Sequence, residues 1–377
     1  MVSGIAPHSE ALLTIPVLPQ HAAADAHLNM EFVLAESTNW GPKGHVVATG
    51  QVQLTKPRSL QLLRSLNPSP AKLLRAELTR NTQLSITSTN GLFWVFDLTL
   101  GSIINWGHPD PSSNTPANIL TEPLRFDIYR APTDNDRGCD FGRNWRDHRM
   151  HLAKPHLIQS SWSQPDDRTI EVVATTRIAP PVLNWALEVI ATYSFTADAV
   201  HIRAHAKPTG NWIPRAWGRL GLVTAVKGCE RVRWFGRGPG ESYRDKKTSQ
   251  LVGRWERDVE EMGTEYEFPQ ENGNRTDVRW VEFLKSDQQS GGAGTRLLRA
   301  RYGDFEGASF SVLPYSAKDL DEAKHPYELH ERKRKGDRVV HLDWMHHGLG
   351  TGSCGPETLP VYTLEAGREY EVEVVLD

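Results

Sequence analysis

An all-β protein of large, packed antiparallel sheets is what these 377 residues predict, on three observations. Apolar and polar residues alternate through much of the chain, clusters of Gly, Pro, Asn and Asp interrupt the alternation, and helical spacing is confined to two short stretches. Side chains two residues apart share one face of a strand, so a period of two reads as a sheet with one face buried.

The elements follow in chain order. Leu28, Met30, Phe32 and Leu34 alternate with Asn29, Glu31 and Val33 and predict a strand. Leu60, Leu62, Leu63 and Leu66 predict a short helix that the break at Asn67-Pro68-Ser69-Pro70 ends, because proline lacks the amide hydrogen and disfavours helix in the residue before it. Strand-like runs occupy Leu92–Leu100, Ile170–Ile178, Trp185–Phe195 and Val200–Ala206. A second short helix starts at Ser316, with Asp319 three residues on as its cap partner, and ends before Pro326. The run Glu331-Arg332-Lys333-Arg334-Lys335-Gly336-Asp337 reads as a charged, solvated hairpin turn. Tyr370, Val372, Val374 and Leu376 alternate with Glu371, Glu373 and Val375 and give the last strand.

Bulk properties narrow the class. Hydrophobic residues are 38% and charged residues 24%, the balance of a globular chain rather than a disordered one. A net charge of −3 creates no field that would recruit nucleic acid or an acidic membrane surface. Cys139, Cys229 and Cys354 are too widely spaced for a disulfide framework or a Cys-rich zinc site. No apolar run approaches the roughly 20 residues that span a bilayer, and the first residues lack the pattern of a signal peptide, so a cytoplasmic location is expected. Pro57, Pro68 and Pro70 and a scarcity of β-branched residues mark residues 57–81 as a linker between a small β unit, 1–56, and one large β domain, 82–377. The small unit buries too little surface to stand alone, so it leans on something else or is the remnant of a larger sandwich.

Four segments carry a resemblance. They are Arg130-Ala131-Pro132-Thr133-Asp134-Asn135-Asp136, Gly236-Arg237-Gly238-Pro239-Gly240-Glu241-Ser242-Tyr243-Arg244-Asp245, Pro269-Gln270-Glu271-Asn272-Gly273-Asn274-Arg275, and His346-His347-Gly348-Leu349-Gly350-Thr351-Gly352-Ser353-Cys354-Gly355-Pro356. In order and spacing they resemble the last, small-chain domain of glycoside hydrolase family 2 β-galactosidases. Upstream, Ile5–Glu10 and Trp40–Ala48 resemble the closing half of the immunoglobulin-like domain that precedes it in that family. The resemblance implies a galactose-mutarotase-like supersandwich after a partial immunoglobulin-like β-sandwich.

It also implies the C-terminal or small-chain portion of an enzyme that hydrolyses terminal β-D-galactosides. Such a portion completes the substrate pocket and the assembly. The family's catalytic glutamates and metal ligands sit on a (β/α) barrel, and no position here matches them. No catalytic residue, metal ligand or cofactor is therefore assigned to this chain, which is expected to be inactive alone. Its expected partners are the β-galactoside, a barrel-bearing large chain or missing N-terminal part, and further copies in the full enzyme, with no nucleic acid or membrane. A start midway through the immunoglobulin-like domain favours a truncated product.

The substrate-binding candidates are His346, His347, Gly350, Ser353 and Cys354, because this loop reaches the sugar in several family members. Cys354 stands where an aromatic platform is often found. His346 and His347 are adjacent and point to opposite faces, one expected inward and one toward the loop surface. A retaining glycosidase needs two carboxyl groups about 5–5.5 Å apart, and the local candidates are Asp134, Asp136, Glu241 and Glu271. The plainer expectation is that these acids cap turns and pair with Arg130, Arg137, Arg244 or Arg275. Asp134–Asp140 lacks the spacing of a calcium loop, since Gly138 and Cys139 fall where a ligand and a glycine belong. The alternative function is a free-standing carbohydrate-binding or mutarotase-like protein using His201, His205 and Glu241.

Overall fold

The computed structural model describes residues 6, 8–12, 25–55, 73–108, 117–286 and 294–377. The chain divides into two compact units, 1–62 and 63–377. In the first, β1 (His27–Val33) pairs antiparallel with β2 (Val46–Gln53), with a bulge between Phe32 and Val33. Its apolar side chains remain largely wet: Phe32 is 49% exposed and Val47 57%.

The second unit opens with β3 (Leu74–Thr79), β4 (Gln83–Ser88), β5 (Phe93–Asp97), β6 (Ser102–His108), β7 (Ala117–Asn118) and β8 (Leu120–Asp127). Two helices follow, α1 (Asp134–Gly138) and α2 (Asp140–Asp147). Next come β9 (Lys154–Asp166), β10 (Thr169–Ala179), β11 (Trp185–Phe195), β12 (Val200–Gly210), β13 (Arg219–Lys227), β14 (Arg231–Gly238) and β15 (Leu251–Asp258). After them lie β16 (Arg275–Thr276), β17 (Trp280–Lys285), β18 (Thr295–Tyr302), β19 (Ser309–Leu313), α3 (Ala317–Glu322), α4 (Pro326–Arg332), β20 (Asp337–His346) and β21 (Tyr370–Leu376).

These strands make an antiparallel supersandwich. One sheet has nine strands in the order β15-β14-β17-β18-β21-β12-β11-β10-β9, the other ten, running β16-β19-β20-β13-β8-β6-β5-β4-β3 with β7 on β6. The period of two shows on β10, β11 and β12, whereas on β5 Trp94 through Asp97 are all buried and on β1 Phe32 is exposed. Ile170, Val172 and Ala174 on β10, Val189, Ala191 and Tyr193 on β11, and Val200, Ile202 and Ala204 on β12 are buried in one core. Aromatic edges join the sheets: Trp94 on β5 lies 5.7 Å from Phe195 on β11, and Phe96 lies 5.0 Å from Tyr193. No helix among the described residues is long and apolar enough to cross a membrane.

Several local expectations change. Leu74–Thr79, placed in the linker, is β3 and pairs in full with β4; the helix expected over Leu60–Leu66 lies outside the described residues. Leu92–Leu100 is a strand only to Asp97, whose carboxylate then accepts from the amides of Thr99 and Leu100 and turns the chain. Ser316 and Asp319 do form a reciprocal capping box on α3. Pro326, expected only as a stop, opens α4, where its missing N–H has no partner to lose. The charged run at 331–337 is therefore a helix end and a turn at Gly336 (φ +87°), not a hairpin.

Trp94 is fully buried and touches both Trp106 and Phe195. Trp94→Ala should cost about 3–5 kcal/mol, read as a lower midpoint in urea denaturation followed by far-ultraviolet circular dichroism.

Candidate functional site

The four segments singled out in the sequence converge on one place. Arg130, fully buried after β8, forms a two-pronged pair with Asp136 of α1 at 2.7 and 3.0 Å. Asp136 is also the cap partner of Thr133, whose hydroxyl and amide both donate to it at 2.7 Å. One acid thus neutralises a buried cation and starts a helix that five residues alone would not hold. From α1, Asn135 reaches the glycine-rich loop. Its amide donates to the Gly350 carbonyl (3.1 Å), and its side-chain oxygen accepts from the Ser353 hydroxyl (2.8 Å) and amide (3.2 Å).

The 236–245 segment grips the same loop from another side. The Asp245 carboxylate accepts from the amides of Leu349 (2.9 Å) and Gly350 (2.7 Å), and Lys246 Nζ donates to the Gly350 carbonyl at 2.9 Å. Gly350 sits at φ +65° in this clasp. Gly138 lets the loop come close: a Cβ there would stand 2.7 Å from Ser353 Cα. The loop is therefore held firmly at its base, while Ser353 and Cys354 at its tip are exposed.

Beneath the base lies a buried charge cluster. Arg219, at the start of β13, has no exposed surface and donates to Glu271 at 2.8 Å, with Asp343 of β20 3.5 Å away. Burial opposes ionisation of Glu271, but the Arg219 guanidinium, aided by His346, outweighs it and holds the carboxyl at about 2. Asp343 goes the other way: burial that Arg219 only partly offsets pushes it up to about 7. Its two oxygens, Nη1 and Nε of Arg219 and Nε2 of His346 lack hydrogen-bond partners among the described residues. Such unpaired atoms are costly in a dry interior.

Both candidate histidines are buried. His346 lies over Tyr243, with Nδ1 2.9 Å from the His347 carbonyl and Nε2 3.6 Å from Glu271. His347 is covered by Phe141 and Trp145 of α2, and its Nδ1 accepts from the Leu364 amide, so neither histidine of the pair reaches the loop surface as one of them was expected to. Burial lowers both imidazoles, His347 well below the usual range, with Arg130 reinforcing it there. Neither faces solvent as a sugar ligand would.

The acids are otherwise spoken for. Asp134 pairs with Arg137 at 3.3 Å, as expected. Glu271 takes Arg219, and Glu241 accepts from the Tyr266 hydroxyl and the Gly273 amide (2.9 Å). Arg275 donates to the carbonyls of Pro239, Met262 and Gly273 rather than to an acid. His201 bonds Glu373 (3.3 Å) and His205 bonds Glu369 (2.9 Å), so neither is assembled with Glu241. Arg219, His341 and Asp343 went unread in the sequence, although charges set in otherwise apolar strands are a usable signal.

Two consequences can be measured. Asp245→Asn weakens the acceptor of two loop amides, so hydrogen exchange at Leu349 and Gly350 should quicken and stability fall by about 1.5–3 kcal/mol. Glu271 is ordinary at 4.5 when unfolded and near 2 when folded, so its contribution is present above pH 4.5 and lost as pH falls toward 2. Glu271→Gln should cost about 3–5 kcal/mol at neutral pH, and urea titrations should show the gap to the parent closing across that window. Asp343 has the opposite sign: it holds its proton in the folded chain, a contribution present below pH 3.8 and lost as pH rises toward about 7.

Residues 88–376 match the family described as the β-galactosidase small chain, and residues 1–55 match domain 4 of β-galactosidase. A β-galactosidase of Kluyveromyces lactis is 30% identical over 328 residues, covering 86% of this chain and 29% of that protein. One from Arthrobacter sp. strain B7 is 29% identical over 380 residues, covering 93% of this chain and 33% of its own. A solved galactose mutarotase related enzyme from Lactobacillus acidophilus shares 8% identity at a TM-score of 0.31, covering 81% of this chain and 96% of its own. The chain spans about a third of the length of the curated relatives it matches. All four converging segments fall inside the matched 88–376 region, and the chain belongs to the β-galactosidase small-chain family.

Proposed function

We propose that this chain is the accessory, C-terminal portion of a β-galactosidase. Its glycine-rich loop forms one wall of a β-galactoside pocket, and a catalytic barrel, on a large chain or on a preceding part of the enzyme, cleaves the bond. The observation that carries this reading is the loop's construction: a base locked by Asn135, Asp245 and Lys246, and an exposed tip at Ser353 and Cys354. A tip so held is preorganised to meet a ligand without an ordering cost. In this reading Ser353 and Cys354 reach the sugar, Gly350 sets their position, and His346 and His347 support the base from below. Three unpaired cysteines suit the reducing cytoplasm as the place of work.

The purified chain should be silent on a chromogenic β-galactoside and active once mixed with a barrel-bearing large fragment. Turnover by the chain alone, or silence of the mixture, would refute the accessory role. In the active mixture, Ser353→Ala should raise KM roughly fivefold, the loss of about 1 kcal/mol of hydrogen bonding, with kcat little changed.

A further inference from the structure

Strand β18 follows β21 only through the pairs Ala300–Leu376, Arg301–Val375 and Tyr302–Val374. Beyond them Tyr370–Glu373 keep β12 on one side and no strand on the other among the described residues. A cavity of about 620 Å³ lies at this bare edge, within the roughly 300–1,000 Å³ that small-molecule sites occupy.

Two cross-strand rows line it. Ile190, His205 and Glu371 stand side by side across β11, β12 and β21, and Thr192, Arg203 and Glu373 form the next row. Asp304 and Glu306, on the connection leaving β18, add two more carboxylates, and Trp344 of β20 also lines the space. Trp344 is 5% exposed, and its indole N–H has no hydrogen-bond partner among the described residues. Glu373, directly across from Arg203, bonds His201 instead.

This chemistry selects among ligands. Four carboxylates repel phosphates and other anions. No three potential metal-binding side chains converge among the described residues, so a single metal ion has no cage. The lining offers acceptors (the carboxylates), a donor in Arg203 and apolar surface from Ile190 and Val372. A polyol with donor and acceptor hydroxyls and an apolar C–H face satisfies all three. We propose that this cavity binds a neutral saccharide of one or two rings, independently of the glycine-rich loop.

Isothermal titration of the full chain with galactose and with lactose tests it. Saturable binding with a millimolar Kd is expected, on the order of −4 kcal/mol. Arg203→Met should weaken it at least about tenfold, the loss of one charged hydrogen bond. Thr192→Trp, which fills the cavity and leaves every charge in place, should abolish it, and Ser353→Ala should leave it unchanged. Circular dichroism and melting curves check that each variant is folded. Absence of saturable binding would overturn the proposal. So would binding that Ser353→Ala weakens and Arg203→Met does not, which would assign the sugar to the glycine-rich loop. Binding of spermidine in place of both sugars would overturn it too, by making the cavity a cation site.

Discussion

Arg219 is the constraint around which the four segments arrange themselves into one cluster. Its guanidinium has no exposed surface, yet it cannot lose its charge at any ordinary pH. The fold must bring acids to it, and it does so from distant parts of the chain: Glu271 from the 269–275 segment and Asp343 from β20. Glu271 in turn stands by His346, and His346 begins the glycine-rich loop. Arg130 repeats the arrangement beside it with Asp136, and also reaches the Gly348 carbonyl at 3.4 Å. Two buried cations therefore set where four segments meet. Such ion pairs add little net stability against an apolar core of equal volume, but breaking one is severe. Here they give registration: each partner fixes the position of a different segment.

The strands were legible because period two is a local property. Val172, Tyr193 and Ile202 declare their faces whatever their partners are. The helices α1 and α2 were not legible as helices, since Asp, Asn and Gly dominate 134–142 and favour turns. The Thr133–Asp136 capping box that starts α1 was not read from the sequence. What tipped it toward helix was the Arg130 charge waiting for Asp136, which is a tertiary fact.

The site was half legible for the same reason. The four segments quoted from the sequence do meet in one place, and Ser353 and Cys354 lie at an exposed tip. That His347 lies under α2, or that Asn135 holds Ser353 across 218 residues, depends on packing that no local pattern encodes. β3 was hidden for a different cause: Leu74–Thr79 has little β-branched content, and only pairing with β4 makes it a strand.

The two-stranded first unit has a further practical meaning. Among the described residues β1 pairs only with β2, and wet apolar side chains such as Phe32 and Val47 flank the pair. Exposed apolar side chains on strands favour association between molecules. When the chain is handled by itself, self-association and precipitation should start in residues 27–53 and leave the supersandwich native inside the aggregate. A solution that clouds would thus report on this hairpin, not on the folding of the large domain.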